Sequence, residues 1–161
     1  MSTQRIVDHS ALSTSQAGII LLLILSFILN APLLTGLVAL FMLVGALVGR
    51  PAFGWVYTLF LRPAGLVKPN QLADNPEPHR FAQGFGGTVV LVGFIALLSG
   101  LAALGWALTW LVVALAALNL FGGFCVGCAV YYWLNRLNVP GFRVSPPVGT
   151  FPGLRPRRHN Q

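Results

Sequence analysis

Acidic side chains are almost missing from this chain: Asp8, Asp74 and Glu77 are its only three among 161 residues, and charged residues of both signs make up 8% of it. A soluble domain carries about 25% charged residues, so there is too little polar surface here to coat a water-soluble globule. A cytosolic enzyme is excluded first. Cysteine occurs only twice, as Cys125 and Cys128, and a pair three positions apart cannot staple a secreted mini-protein together. Ionisable residues are missing from the interior of every long apolar run, which removes the usual mark of proton relays and ion-coupled transport. The sequence also has no phosphate loop, no His-Glu-x-x-His helix and no serine nucleophile elbow.

Apolar residues are what the chain has in quantity. They make up 56% of it, with a mean hydropathy of +0.78, which excludes disorder for most of its length. A spanning helix needs about 20 mostly apolar residues, and four stretches qualify: 11–29, 33–49, 80–104 and 106–135. The first reads as a retained span, because Asn30-Ala31-Pro32 is a poor signal-peptidase site and a second apolar run follows at once. The expected fold class is therefore all-α, a four-helix transmembrane bundle comprising residues 1–137.

The ten Lys and Arg lie in the two termini and the middle segment, while Asn30-Ala31-Pro32 and Leu104-Gly105-Trp106 carry no charge. By the positive-inside rule both termini and the middle segment face the cytoplasm. The net charge of +7 is explained by topology, and no nucleic-acid partner is expected. Trp106 and Trp110 mark one interface of the fourth span, and Tyr131, Tyr132 and Trp133 the other.

Between the second and third spans, residues 50–62 read as an interfacial helix, with Phe53, Val56, Tyr57, Phe60 and Leu61 on one stripe. A Pro-punctuated loop follows over 63–79, within which Asn75-Pro76-Glu77 forms a helix-start signal for the third span. The tail, 138–161, has five prolines and no periodic apolar pattern, and is expected to be disordered. Its Arg155-Pro156-Arg157-Arg158 cluster serves topology or touches anionic lipid.

The two halves resemble each other. Ser15-Gln16-Ala17-Gly18 opens the first hairpin as Ala82-Gln83-Gly84 opens the second, and the hairpins exit through Gly45/Gly49 and Gly123/Gly127. Small residues four apart let helix backbones approach closely. The four glycines are therefore expected to bring spans two and four together, or to serve a homo-oligomer. Asn119, placed near mid-bilayer, is expected to bond another helix.

Cys125 and Cys128 form the only reactive constellation. In a Cys-x-x-Cys pair the first thiol is activated at a helix N-terminus, which an unbroken helix does not provide, but Gly122-Gly123 offers a place for the helix to unwind and restart. The other reading is that the two cysteines merely fill a Gly-rich helix contact. Thiolates also take soft metals. Two ligands do not complete a site, and although His79 and His9 near the same surface could add to them, no metal or other cofactor is assigned.

The residues His79-Arg80-Phe81-Ala82-Gln83-Gly84, then Asn119, Phe124-Cys125-Val126-Gly127-Cys128 and Tyr131, with Val7-Asp8 and Gln16 near the start, resemble the bacterial membrane family called domain of unknown function 4395. The resemblance covers about residues 7–135. It implies a small four-helix protein of the bacterial inner membrane, with partners of thioredoxin-like or rhodanese-like fold. Ser13 departs from the family's pattern, standing where an arginine opposite Arg80 is expected. The resulting expectation is a thiol redox or sulfur-relay protein, with Cys125 attacking and Cys128 resolving. The alternative is an accessory membrane subunit whose cysteines only pack.

Overall fold

The structure, a computed structural model, describes residues 6–147 and 149–156. Its elements in chain order are β1 (Ile6–Asp8), α1 (His9–Ile28), α2 (Pro32–Val48), α3 (Gly54–Val56) running into one π turn (Tyr57–Leu61), β2 (Gln71–Ala73), α4 (Pro76–Leu98), α5 (Ala102–Gly122) and α6 (Val126–Arg136). The architecture is mostly helical. The only paired strands among the described residues are β1 and β2, antiparallel with Val7 opposite Leu72.

Three of the helices, α1, α4 and α5, are long and apolar enough to cross a membrane. The fourth apolar helix, α2, has 17 residues, or about 25 Å at 1.5 Å per residue, short of the roughly 30 Å hydrocarbon core. Helix α1 packs on α2, α2 on α4, α4 on α5 and α5 on α1, while α6 lies against α4. Ile19, Leu23, Val38, Met42, Val90 and Val112 fill the centre. Leu21, Ile28, Leu33, Leu47, Leu98 and Phe121 point outward and are exposed, so these helices are apolar on both faces, as in a membrane span and not a soluble bundle.

Local chemistry sets the helix ends. The Asp8 carboxylate accepts the Ser10 N–H at 2.9 Å to cap α1. Pro32 and Pro76 occupy the starts of α2 and α4, and Glu77 supplies an acid in the first turn of α4. The Ser26 hydroxyl bonds the Ala31 carbonyl at 2.7 Å and the Thr35 hydroxyl at 2.6 Å, closing the α1–α2 turn with its polar groups satisfied.

Two boundaries differ from the sequence reading. The third and fourth apolar runs part at Ser99-Gly100-Leu101 and not at Leu104-Gly105-Trp106: Gly100 takes φ +81° and makes the turn. Gly105 lies inside α5, where a Cβ would come within 2.8 Å of the Gly93 carbonyl oxygen on α4. The expected span over 106–135 is two helices, because Gly123, at φ +65°, ends α5 and the chain re-enters a helix only at Val126.

The segment expected as one interfacial helix forms only α3 and its π turn. Phe53 and Tyr57 of its stripe are buried, while Phe60 is exposed. The Phe53 N–H donates to the Ser15 hydroxyl at 3.1 Å, so this segment is held on α1. Beyond α6 the described part of the tail has no helix, but contrary to the expected disorder it is held in place: Phe142 packs on Phe81 and Tyr131, and Asn135 and Asn75 donate to the Phe142 and Ser145 carbonyls at 2.7 and 3.0 Å. Phe124 and Leu154 form an isolated bridge, the Cys125 N–H donates to the Gly153 carbonyl at 2.8 Å, and the Arg155 N–H to the Gly123 carbonyl at 2.9 Å. Arg5, and Arg157 and Arg158 of the basic cluster, lie outside the described residues.

Candidate site of paired cysteines and histidines

The starts of α1, α4 and α6 converge, and each contributes one part of a polar cluster. Cys125 is the N-cap of α6, with φ −94° and ψ 104°, and its sulfur accepts the Cys128 N–H at 3.2 Å. Cys125 and Cys128 are paired as a disulfide. The Cys128 sulfur lies 3.5 Å from His79 Nδ1. The opposite ring nitrogen, His79 Nε2, donates to Asp74 Oδ2 at 2.9 Å, and His9 Nε2 donates to the same oxygen at 3.0 Å.

Asp74 and His9 are only 7% and 3% exposed. Burial pushes the Asp74 carboxyl up, but the hydrogen bonds from His79 and His9, the charge interaction with His79 and the Asn75 N–H together hold it well below the usual carboxylate range. An ionised Asp74 accepts from Nε2–H of His79, so whenever the ring is neutral its proton stays there and the lone pair at Nδ1 faces Cys128. That lone pair can take a thiol proton or bind a cation.

The match that places this chain among known proteins covers residues 7–136, and the family is described as "Domain of unknown function (DUF4395)". The chain belongs to the DUF4395 family. No curated protein and no solved structure matches it.

In this DUF4395 chain the residues of the family motif occupy separate places. His79 belongs to the cluster. Arg80 donates through Nε to the Ala46 carbonyl at 3.1 Å and through Nη2 to the Leu47 carbonyl at 3.2 Å, satisfying carbonyls at the end of α2. Phe81 packs against Tyr131 and Phe142, with ring centroids 5.8 and 5.3 Å apart. Gln83 donates to the Met42 carbonyl at 2.9 Å and the Arg50 carbonyl at 3.2 Å, and accepts the Ala52 N–H at 3.2 Å. Asn119 lies in the last turn of α5 beside Cys125, not at mid-helix. It lines both a cavity of about 360 Å³ at the cluster, with mixed polar and apolar walls, and an apolar cavity of about 930 Å³ among the helices, each volume including its open mouth.

The four glycines do not bring the second and fourth apolar runs together. Gly45 faces Gln83 and Gly49 faces the Arg80 guanidinium, both on α4. Gly127 also meets α4, where a Cβ would lie 2.5 Å from the Ala82 methyl, and Gly123 lies under Arg155 of the tail. Gly45, Gly49 and Gly127 share α4 as their neighbour, because it packs on both α2 and α6.

Asp74 carried no sequence signal of its own beyond being one of three acids, five residues before His79. Gly153 and Leu154 of the tail carry no sequence signal either, and Arg155 stands out only as part of the basic cluster; in the structure Gly153 takes φ +89°.

Proposed function

We propose that this protein is a multi-pass membrane dithiol–disulfide exchanger of the bacterial inner membrane. In this reading α1, α2, α4 and α5 are the four spans of a bundle built from two similar hairpins, and the termini and the segment between α2 and α4 face the cytoplasm, where Lys and Arg collect. Cys125 and Cys128 pass two electrons to or from a thioredoxin-like or sulfurtransferase partner. One observation carries the reading: the first sulfur of a Cys-x-x-Cys pair sits at a helix start, bonded by the Cys128 N–H, while the second faces a histidine held by a buried carboxylate.

The exchange balances as follows. A Cys125 thiolate attacks one sulfur of a partner disulfide, whose bond breaks and whose other sulfur leaves as a thiolate. Cys128 gives its proton to His79 Nδ1 and attacks the Cys125 sulfur of the mixed disulfide. This closes the Cys125–Cys128 bond and releases the partner's second sulfur as a thiolate; one partner thiolate takes the proton held on His79 and the other a proton from water, giving the dithiol. Two electrons have moved to the partner, and the reverse sequence reduces this protein.

The test is alkylation in intact membranes with and without prior reduction, followed by mass measurement, together with trapping on Cys128→Ser. A population that gains two blocked thiols only after reduction, and a mixed disulfide at Cys125, support the reading. Thiols that stay reduced under mild oxidant and tolerate double replacement by Ala overturn it in favour of an accessory subunit with packing cysteines.

A further inference from the structure

His79 Nδ1 and the sulfurs of Cys125 and Cys128 all lie within 4.8 Å of one another. We propose that the reduced protein binds one thiophilic d10 cation through these three atoms, Zn²⁺ by preference, with Cu⁺ the competitor of the same chemistry.

The spacing is that of a metal site. Bonds of about 2.3 Å to sulfur and about 2.05 Å to nitrogen at a tetrahedral angle set the two ligand atoms about 3.6 Å apart, and Cys128 Sγ stands 3.5 Å from His79 Nδ1. The two sulfurs, freed of their mutual bond, need about 3.8 Å by the same arithmetic. Neighbouring groups are arranged as they are around bound metals. A ligating histidine almost always donates its other N–H to a carboxylate or carbonyl, which fixes the tautomer and turns the free nitrogen to the cation; here Asp74 does this, itself held by His9. The Cys128 N–H on the Cys125 sulfur stabilises that thiolate.

Charge decides between the cations. Two thiolates and a neutral imidazole cancel Zn²⁺ in full, whereas Cu⁺ leaves one negative charge in a site where Cys125 and Cys128 are 6% and 3% exposed, at a desolvation cost. Three protein ligands leave one position open, the coordination of a site that exchanges its fourth ligand and not of a closed structural one. The disulfide and the metal exclude each other, since a sulfur in the disulfide has no thiolate to offer. The site stands whether or not the pair exchanges disulfides with a partner.

The test uses the full chain in detergent, without oxygen, after reduction by a phosphine that is then removed. Co²⁺ is the probe for the Zn²⁺ site. One equivalent should bind with tetrahedral d–d bands and a thiolate-to-cobalt charge-transfer band, release two protons, and be displaced by Zn²⁺. The disulfide form of the same preparation, a control that needs no mutation, should bind at least tenfold more weakly. His79→Ala should weaken binding at least tenfold while keeping the charge-transfer band, and Asp74→Asn should weaken it about 10- to 100-fold. Uptake of Cu⁺ from a chromophoric chelator without Zn²⁺ or Co²⁺ binding would assign the site to copper. Equal binding by the disulfide form, a six-coordinate cobalt spectrum without charge transfer, undiminished affinity in His79→Ala, or no uptake of any of these cations overturns the proposal.

Discussion

His79 Nε2 and Asp74 Oδ2 stand 2.9 Å apart, and this bond determines what the other side of the imidazole can do. With the proton held toward the carboxylate, Nδ1 faces Cys128 as an acceptor. In the proposed exchange, proton transfer from Cys128 therefore depends on a loop carboxylate bonded to the far side of that ring.

Replacing that carboxylate should have a signature in pH. Asp74 is held below its unfolded value of about 3.9, so its stabilisation is fully present above that value and is lost as pH falls through the folded one. Asp74→Asn should lower unfolding stability in detergent by about 1.5–3 kcal/mol at neutral pH, the range for hydrogen bonds to a charged group. Chemical unfolding curves of variant and wild type should converge only in strong acid. A gap that persists unchanged at low pH would show that the carboxylate's charge is not what matters.

The contact between α6 and α4 rests on Gly127 against Ala82. Gly127→Ala should cost about 1–3 kcal/mol by overpacking, despite alanine's better helix propensity. Adding Ala82→Gly should recover most of the loss. Thermal unfolding of the single and double variants decides it: a double variant less stable than Gly127→Ala would mean that the two sites are uncoupled.

The tail is hydrogen-bonded over the backbone at Cys125. Gly153 accepts the Cys125 N–H, and a Cβ there would lie 2.9 Å from the Cys125 carbonyl oxygen, at a φ of +89°. Gly153→Ala should loosen this cover. Loss of one backbone hydrogen bond, about 1 kcal/mol, corresponds to a roughly fivefold faster alkylation of the reduced thiols. An unchanged rate would place the route to the sulfurs elsewhere.

Orientation can be read with reporters. A domain active only outside the cytoplasm should be silent when fused after Gln161 and active when inserted at Ala31. The reverse pattern would put the cysteine cluster on the opposite side of the membrane and redirect the search for a partner.

Much of the helical framework was legible because its signals are local. Apolar runs of sufficient length, Pro32 and Pro76 at helix starts, and Gly122-Gly123 as a weak place in a long helix act within a few residues of themselves. The turn between α4 and α5 was misplaced for a related reason: Gly100 and Gly105 are both glycines in an apolar run. Only contact with Gly93 reveals that the second belongs inside a helix.

By itself, the sequence determined that this chain makes apolar helices, that its cations lie outside their apolar interiors, and that one Cys-x-x-Cys pair follows a glycine break. Only the tertiary structure decided that the His9 side chain reaches Asp74, that α4 packs on both α2 and α6, and that tail Arg155, whose Nη2 reaches the Ser13 hydroxyl at 3.5 Å, stands where an arginine on α1 was expected. The physical reason is range. Hydropathy and helix capping depend on neighbours in sequence. Which helix ends meet depends on closing loops of tens of residues, whose entropic cost grows only slowly with length, so the sequence spacing of the cluster's residues carries little information about their meeting.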